Sequence, residues 1–239
     1  MKKNDVVQYP QTISGFEFFV KFMAFVGRIP FVVYHGIKGI KSISSNRNAS
    51  WGSLLQKSAL KYPNNPAVKS PDGTLTYAEL NEKANQFAHF LLSKNVKKGD
   101  TVAVCLENRP ELLFLYCGCA KVGAVCSLIN TNQRGDSLVH SFNLNKGKVM
   151  VVGEECYSFF KDVKDRIDLQ GSELCLLRDP AMNQLKAPED ITDQLAVLPK
   201  TNLSETGGIS LKDTMAYVYT SGTTGGLPKA AVITNKRAV

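Results

Sequence analysis

The sequence has few of the residues that hold metals. Its 239 residues include three histidines, and none of its six cysteines forms a Cys-x-x-Cys pair. A finger-like zinc site is therefore not expected. Cys105, Cys117, Cys119 and Cys126 stand among apolar neighbours. They read as reduced, buried thiols of a cytosolic protein and not as a secreted disulfide framework. There is no internal repeat of solenoid length and no collagen-like period of Gly and Pro, which excludes repeat and fibrous architectures. With 44% hydrophobic and 21% charged residues, the chain has the composition of a packed core and not of a disordered polymer.

Acids are scarce at the N-terminus. Up to Tyr62 there are nine Lys or Arg and only Asp5 and Glu17. Most of the net charge of +8 therefore resides there, and the remainder is nearly neutral. A basic arm suits nucleic acid or an anionic membrane surface. Residues 16–33 hold Phe16, Phe18, Phe19, Phe22, Met23, Phe25, Ile29 and Phe31, interrupted by Glu17, Lys21 and Arg28. The interruptions make a poor membrane span, which needs about 20 mostly apolar residues. Spacings of four and seven put the three charges on one helical face. Pro30 is expected to end or kink the helix. This pattern predicts a helix lying in a membrane interface over residues 13–41, with Lys2, Lys3, Lys38 and Lys41 facing anionic headgroups. The alternative is an amphipathic helix packed on the protein's own core. Phe-rich surface is not what phosphate contacts need, so nucleic acid is not expected. No small-residue cleavage site follows, so a secretory signal fits poorly.

Residues 46–50 read as a polar linker, dividing a basic, apolar, membrane-associating segment (1–47) from a body (48–239). In the body, Trp51, Leu54, Leu55, Ser58, Ala59 and Tyr62 recur at helical spacing. Short strands flank the Pro71-Asp72-Gly73 turn. Thr76 and Glu79 form a capping box for a helix that buries Leu80, Ala84, Phe87, Ala88, Leu91 and Leu92. Strands are predicted at 102–106, 124–129, 149–152, 174–177 and 215–219, with helices at 110–122 and 136–143 between them. Residues 178–211 are polar and poorly periodic, and are expected to be a long connection. Strands alternating with helices predict an α/β fold with a largely parallel sheet flanked by helices. Its strand ends would face a ligand crevice.

The most informative segment runs from Tyr217 to Lys229: Tyr-Val-Tyr-Thr-Ser-Gly-Thr-Thr-Gly-Gly-Leu-Pro-Lys. Gly222, Gly225 and Gly226 allow a tight turn and close backbone approach. Successive N–H groups in such a turn can form an anion-binding nest. Thr220, Ser221, Thr223 and Thr224 add hydroxyls, and Lys229 adds a mobile positive charge. Together they suit a polyphosphate. This is not a Walker A loop, since no Gly-Lys-Ser/Thr follows. Ala230 to Ile233 reads as a strand, so the expected geometry is strand–loop–strand. No Gly-x-Ser-x-Gly elbow surrounds Ser221, so it is not a candidate nucleophile.

This block resembles the AMP-binding signature of the adenylate-forming superfamily, which includes acyl-CoA synthetases, luciferases and peptide-synthetase adenylation domains. The usual form is Tyr-Thr-Ser-Gly-Thr-Thr-Gly-x-Pro-Lys. Here Gly225-Gly226-Leu227 stands where the family has Gly and one variable residue. The segments at 75–80, 99–103, 107–111 and 120–125 also look like the superfamily's N-terminal half. Leu128 to Arg134, with His140-Ser141-Phe142 and Val151 to Glu155, is similar to the fatty acid transport protein/very-long-chain acyl-CoA synthetase branch.

The resemblance implies the N-terminal part of an adenylate-forming domain, preceded by an amphipathic helix. It implies a fatty acid–CoA ligase, in which a fatty acid carboxylate attacks ATP to give acyl-adenylate, and CoA then displaces AMP. Thr220, Ser221, Gly222, Thr223, Thr224, Gly225 and Lys229 would hold the β- and γ-phosphates, with Mg²⁺ sharing the charge. The family's later motifs have no match before Val239, and neither does a CoA site. The expectation is an N-terminal fragment that does not complete catalysis alone, associated with the cytoplasmic face of a membrane, peripherally or by its N-terminus. A ligase for another carboxylic acid, or a non-catalytic lipid-binding remnant, are the alternatives. His89 and His140 read as packing residues. Asn130, Asn132 and Arg134 follow a strand and receive no role.

Overall fold

A computed structural model describes residues 15–45, 49–71, 73–220 and 227–238. The chain divides into two units, residues 1–47 and 48–239. The first contains helix α1 (Gly15–Ser45). Glu17 pairs with Lys21 at 2.9 Å, one turn apart, and Phe18 stacks on Phe22. The large apolar side chains from Phe16 to Ile37 are exposed. Pro30 does not end the helix, which continues through it. A proline removes a single ladder bond, here the one that would reach the carbonyl of Val26. The ladder bonds of the turns on either side outlast that loss. Among the described residues, no helix is long and apolar enough to cross a membrane.

The second unit begins with α2 (Trp51–Lys61), whose N-cap Ser50 and Ser53 form a reciprocal capping box. A small antiparallel hairpin follows, β1 (Pro66–Ser70) and β2 (Gly73–Thr76). The Thr76–Glu79 capping box opens α3 (Tyr77–Ser93) as expected. Then come β3 (Thr101–Cys105), α4 (Pro110–Val122), β4 (Val125–Leu128), α5 (Gly135–Leu144), β5 (Val149–Gly153), α6 (Glu154–Lys161) and β6 (Glu173–Leu177). The chain ends with α7 (Thr192–Ala196), β7 (Thr214–Thr220), β8 (Lys229–Thr234) and α8 (Asn235–Ala238).

The main sheet has the order β6-β5-β3-β4-β7-β8. Five strands are parallel, and β8 returns antiparallel to β7. Alternate residues of β3, β5 and β6 enter two cores. Val102, Val104, Val149 and Val151 pack with Phe87, Leu91 and Leu115 of α3 and α4. Ala103, Cys105, Met150 and Val152 pack with Leu138, Phe142, Cys156 and Phe160 of α5 and α6. The chain therefore leaves β3 toward one face and β4 toward the other. That reversal opens a crevice between the carboxyl ends of β3 and β4.

Helix α6 was not anticipated. It is only eight residues long, too short for periodicity to reveal, and it forms because Cys156 and Phe160 drop one turn apart into the second core. Residues 178–211 are also more ordered than a plain connection. They are pinned to the polar side of α3: Asn85 Nδ2 donates to the Lys200 carbonyl at 2.7 Å, Gln86 Nε2 to Ala196 at 2.9 Å, and Asn81 Nδ2 to Asn202 Oδ1 at 3.0 Å. Lys121 is fully buried beside them and donates to Asn81 Oδ1 at 2.8 Å. All six cysteines are free and buried.

Candidate functional site

The site is assembled on the carboxyl rim of the sheet. Strand β7 carries Tyr219 inward and leaves Thr220 exposed at its end. Thr220 pairs with Lys229, the first residue of β8, and its Oγ1 donates weakly to the Lys229 carbonyl at 3.4 Å. The expected strand–loop–strand geometry is thus present, with the exposed side chains of Thr220 and Lys229 brought side by side at the mouth of the turn. Ser221, Gly222, Thr223, Thr224 and Gly225 lie outside the described residues.

The base of this hairpin is held from beneath. The buried Tyr219 hydroxyl donates to the Ser141 carbonyl at 2.8 Å. Since it has one proton, Ser127 Oγ at 2.9 Å must donate to it, as does Asn145 Nδ2 at 3.2 Å. His140 Nε2 lies 3.0 Å from the carbonyl of Pro228. A carbonyl only accepts, so Nε2 carries the proton.

Beside the hairpin, in the crevice between β3 and β4, is a cavity of about 370 Å³. Val218 and Tyr219 form one wall, and Leu106, Glu107, Asn108, Asn130, Thr131 and Asn132 supply most of the rest. In the sequence these segments carry the family resemblance and have no assigned role. Their only signal was position, directly after two parallel strands, where ligand-facing loops lie. Asn130 Oδ1 accepts from the Asn132 N–H at 2.9 Å, closing a turn. Arg134 is directed elsewhere: its guanidinium lies over the Phe159 ring at 3.7 Å and its Nη1 donates to Thr131 and Gln133 carbonyls. It braces the loop from behind.

The same rim is locked by Arg109, whose side chain is 11% exposed. Nη1 donates to the Arg178 carbonyl at 2.9 Å and Nη2 to Leu177 at 3.3 Å. Nε stands 3.4 Å from Glu155 Oε1 without hydrogen-bond alignment, and Glu111 and Asp179 lie at 3.8 and 4.0 Å. Glu155 Oε1 also accepts from the Glu107 N–H at 2.9 Å, so the ion cluster reaches the cavity wall. His89, on α3, contacts the Thr201 carbonyl at 3.1 Å. Among the described residues, no three His, Cys, Asp or Glu side chains are grouped to hold a metal ion.

The family model described as "AMP-binding enzyme" matches residues 55–239. The chain belongs to the AMP-binding enzyme family. It is 31% identical over 208 residues to the medium/long-chain fatty acid–CoA ligase FadD6 of Mycobacterium tuberculosis, covering 87% of this chain and 33% of the relative. It is 33% identical over 162 residues to the rat long-chain fatty acid transport protein 1, covering 68% of this chain and 25% of that one. The chain thus spans about a third or less of these relatives' length. Among solved structures, the inhibitor-bound N-terminal domain of FACL13 from Mycobacterium tuberculosis superposes with a TM-score of 0.66 at 26% identity, covering 78% of this chain and 44% of that one. The α/β fold with a largely parallel sheet flanked by helices is that of this family's N-terminal part.

Proposed function

We propose that this AMP-binding chain is the N-terminal part of an ATP-dependent long-chain or very-long-chain fatty acid–CoA ligase. The observation that carries the reading is the exposed Thr220–Lys229 pair at the mouth of the glycine-rich turn, on the sheet rim beside the β3/β4 cavity. The donor set fits a polyphosphate: a hydroxyl and a mobile ammonium converge where parallel strands end. Thr220 and Lys229, with Ser221, Gly222, Thr223, Thr224 and Gly225, would hold the β- and γ-phosphates. Bound ATP with Mg²⁺ supplies the adenylyl group that activates a carboxylate. What these residues contribute is orientation of the phosphate chain and neutralisation of its charge. The ligases and transport proteins to which the chain is similar support a fatty acid as the carboxylate, with CoA as the acceptor. The full-length protein should show fatty-acid-dependent exchange of labelled pyrophosphate into ATP. Absence of exchange at every chain length, with activity on an aryl or amino acid, would move the reading to another adenylating ligase.

Lys229 gives a sharper test. Replacing it by Ala should weaken Mg-ATP binding about tenfold to a hundredfold, the loss expected for a charge-assisted contact to phosphate. AMP, which has no β- or γ-phosphate, should bind nearly as before. Equal losses for AMP and ATP would place Lys229 away from the terminal phosphates.

The reading includes a membrane surface. Residues 1–47 would associate peripherally with the cytoplasmic leaflet through α1, whose aromatic and aliphatic side chains are exposed. Phosphatidylserine-containing vesicles should sediment the protein, and deletion of residues 1–47 should abolish most of that binding. Equal sedimentation with and without the segment would reject it.

A further inference from the structure

Two adjacent residues of α5 grip the two sides of the glycine-rich turn. Ser141 accepts the Tyr219 hydroxyl on the entering strand, and His140 donates to the Pro228 carbonyl on the returning side. Helix α5 is itself a firm base, since Leu138 and Phe142 are fully buried in the second core. On the returning side the ladder to β7 starts only at Lys229, paired with Thr220. Strand β8 begins at Lys229, and Pro228 has no N–H to offer a ladder. Its carbonyl is held by His140 at 3.0 Å, one residue ahead of that ladder.

We propose that His140 is a positioning residue for the phosphate loop: with Ser141 it clasps residues 219 and 228, and thereby sets the spacing and direction of Thr220 and Lys229. His140 then acts through Lys229 and does not touch the ligand. This rests on the ATP reading above for its purpose, but the clasp has its own observable. Packing alone would be satisfied by any side chain of similar volume. A clasp requires an N–H at the position of Nε2. Gln can place an amide N–H at comparable reach, whereas Ala cannot.

The test compares H140A and H140Q with the parent full-length protein by hydrogen exchange over residues 219–231, with and without Mg-ATP. In the absence of nucleotide, H140A should speed exchange in this segment roughly two- to tenfold, the loss of one neutral hydrogen bond. H140Q should restore most of the protection. Mg-ATP affinity should fall by a similar factor in H140A and recover in H140Q, while AMP affinity stays level. Thermal melting distinguishes a general loss of packing, which would speed exchange in β3 and β5 as well. Unchanged exchange in H140A, or H140Q behaving like H140A, would overturn the clasp. Altered exchange in a protein that binds no Mg-ATP at all would leave the clasp standing and remove the phosphate reading instead.

Discussion

Arg109→Ala should lower the unfolding free energy by about 3–5 kcal/mol, the range for removing one partner of a buried ion cluster. The size follows from what is left behind. Glu155 is 12% exposed and Glu111 and Asp179 only slightly more. All three would lose the guanidinium that offsets their burial, and the carbonyls of Leu177 and Arg178 would lose their donors. Arg109→Lys should cost less but should not be silent. An ammonium keeps the charge, yet it cannot reach two carbonyls and a carboxylate at fixed angles as the planar fork does. Urea denaturation of the three proteins measures this directly. Because Glu155 also holds the Glu107 N–H, Arg109→Ala should loosen the wall of the β3/β4 cavity before the sheet centre melts. A loss below about 1 kcal/mol would show that water replaces the cluster's contacts, as at an exposed ion pair.

The second large effect is alkaline instability. Burial pushes the Cys117 thiol up to about 11 and Cys175 up to about 12. Burial also raises Cys119, and Cys105 is raised well above its ordinary value by its hydrogen bond to Cys156 and by burial. In the unfolded chain these thiols ionise near pH 9. Above that, the unfolded state binds fewer protons than the folded one, so stability falls as pH rises. Lys121 opposes this. Burial lowers it to about 8, so the fold disfavours its charged form at neutral pH. That cost is relieved as pH rises from 8 toward the unfolded value of 10.5. Four thiols against one lysine leave a net loss on the order of 3 kcal/mol between pH 8 and pH 10. Chemical denaturation midpoints at the two pH values test the sum. Lys121→Met removes the opposing contribution, so its loss over the same interval should be steeper whatever its stability at pH 8. An unchanged midpoint in the parent protein would mean that the thiols reach solvent without unfolding.

Local rules carried the sequence reading far. The Thr76–Glu79 cap and Pro110 at a helix start depend on neighbours within one turn, and each is where local chemistry puts it. The strand–turn–strand reading around Thr220 and Lys229 also held, because the apolar segments on both sides are short and rich in Val, Ile and Tyr. Pro30 shows the limit of a local rule, since α1 outlasts one missing bond. Helix α6 and the ordering of residues 178–211 were illegible for a different reason. Both rest on partners distant in sequence: the second core for α6, and for the connection the side chains of Asn81, Asn85 and Gln86 more than a hundred residues earlier.

For the site the division is similar. Sequence alone determined the α/β alternation, the turn chemistry and the family resemblance, because these depend on residue type and spacing. Only the tertiary structure decided that Glu107 and Asn108 face Asn130, Thr131 and Asn132 across one cavity, since that follows from β3 and β4 sending their helices to opposite faces of the sheet. Likewise His140 is an ordinary half-buried histidine until α5 docks beneath β7. Packing then brings its Nε2 to the carbonyl of Pro228, the residue just before the returning strand.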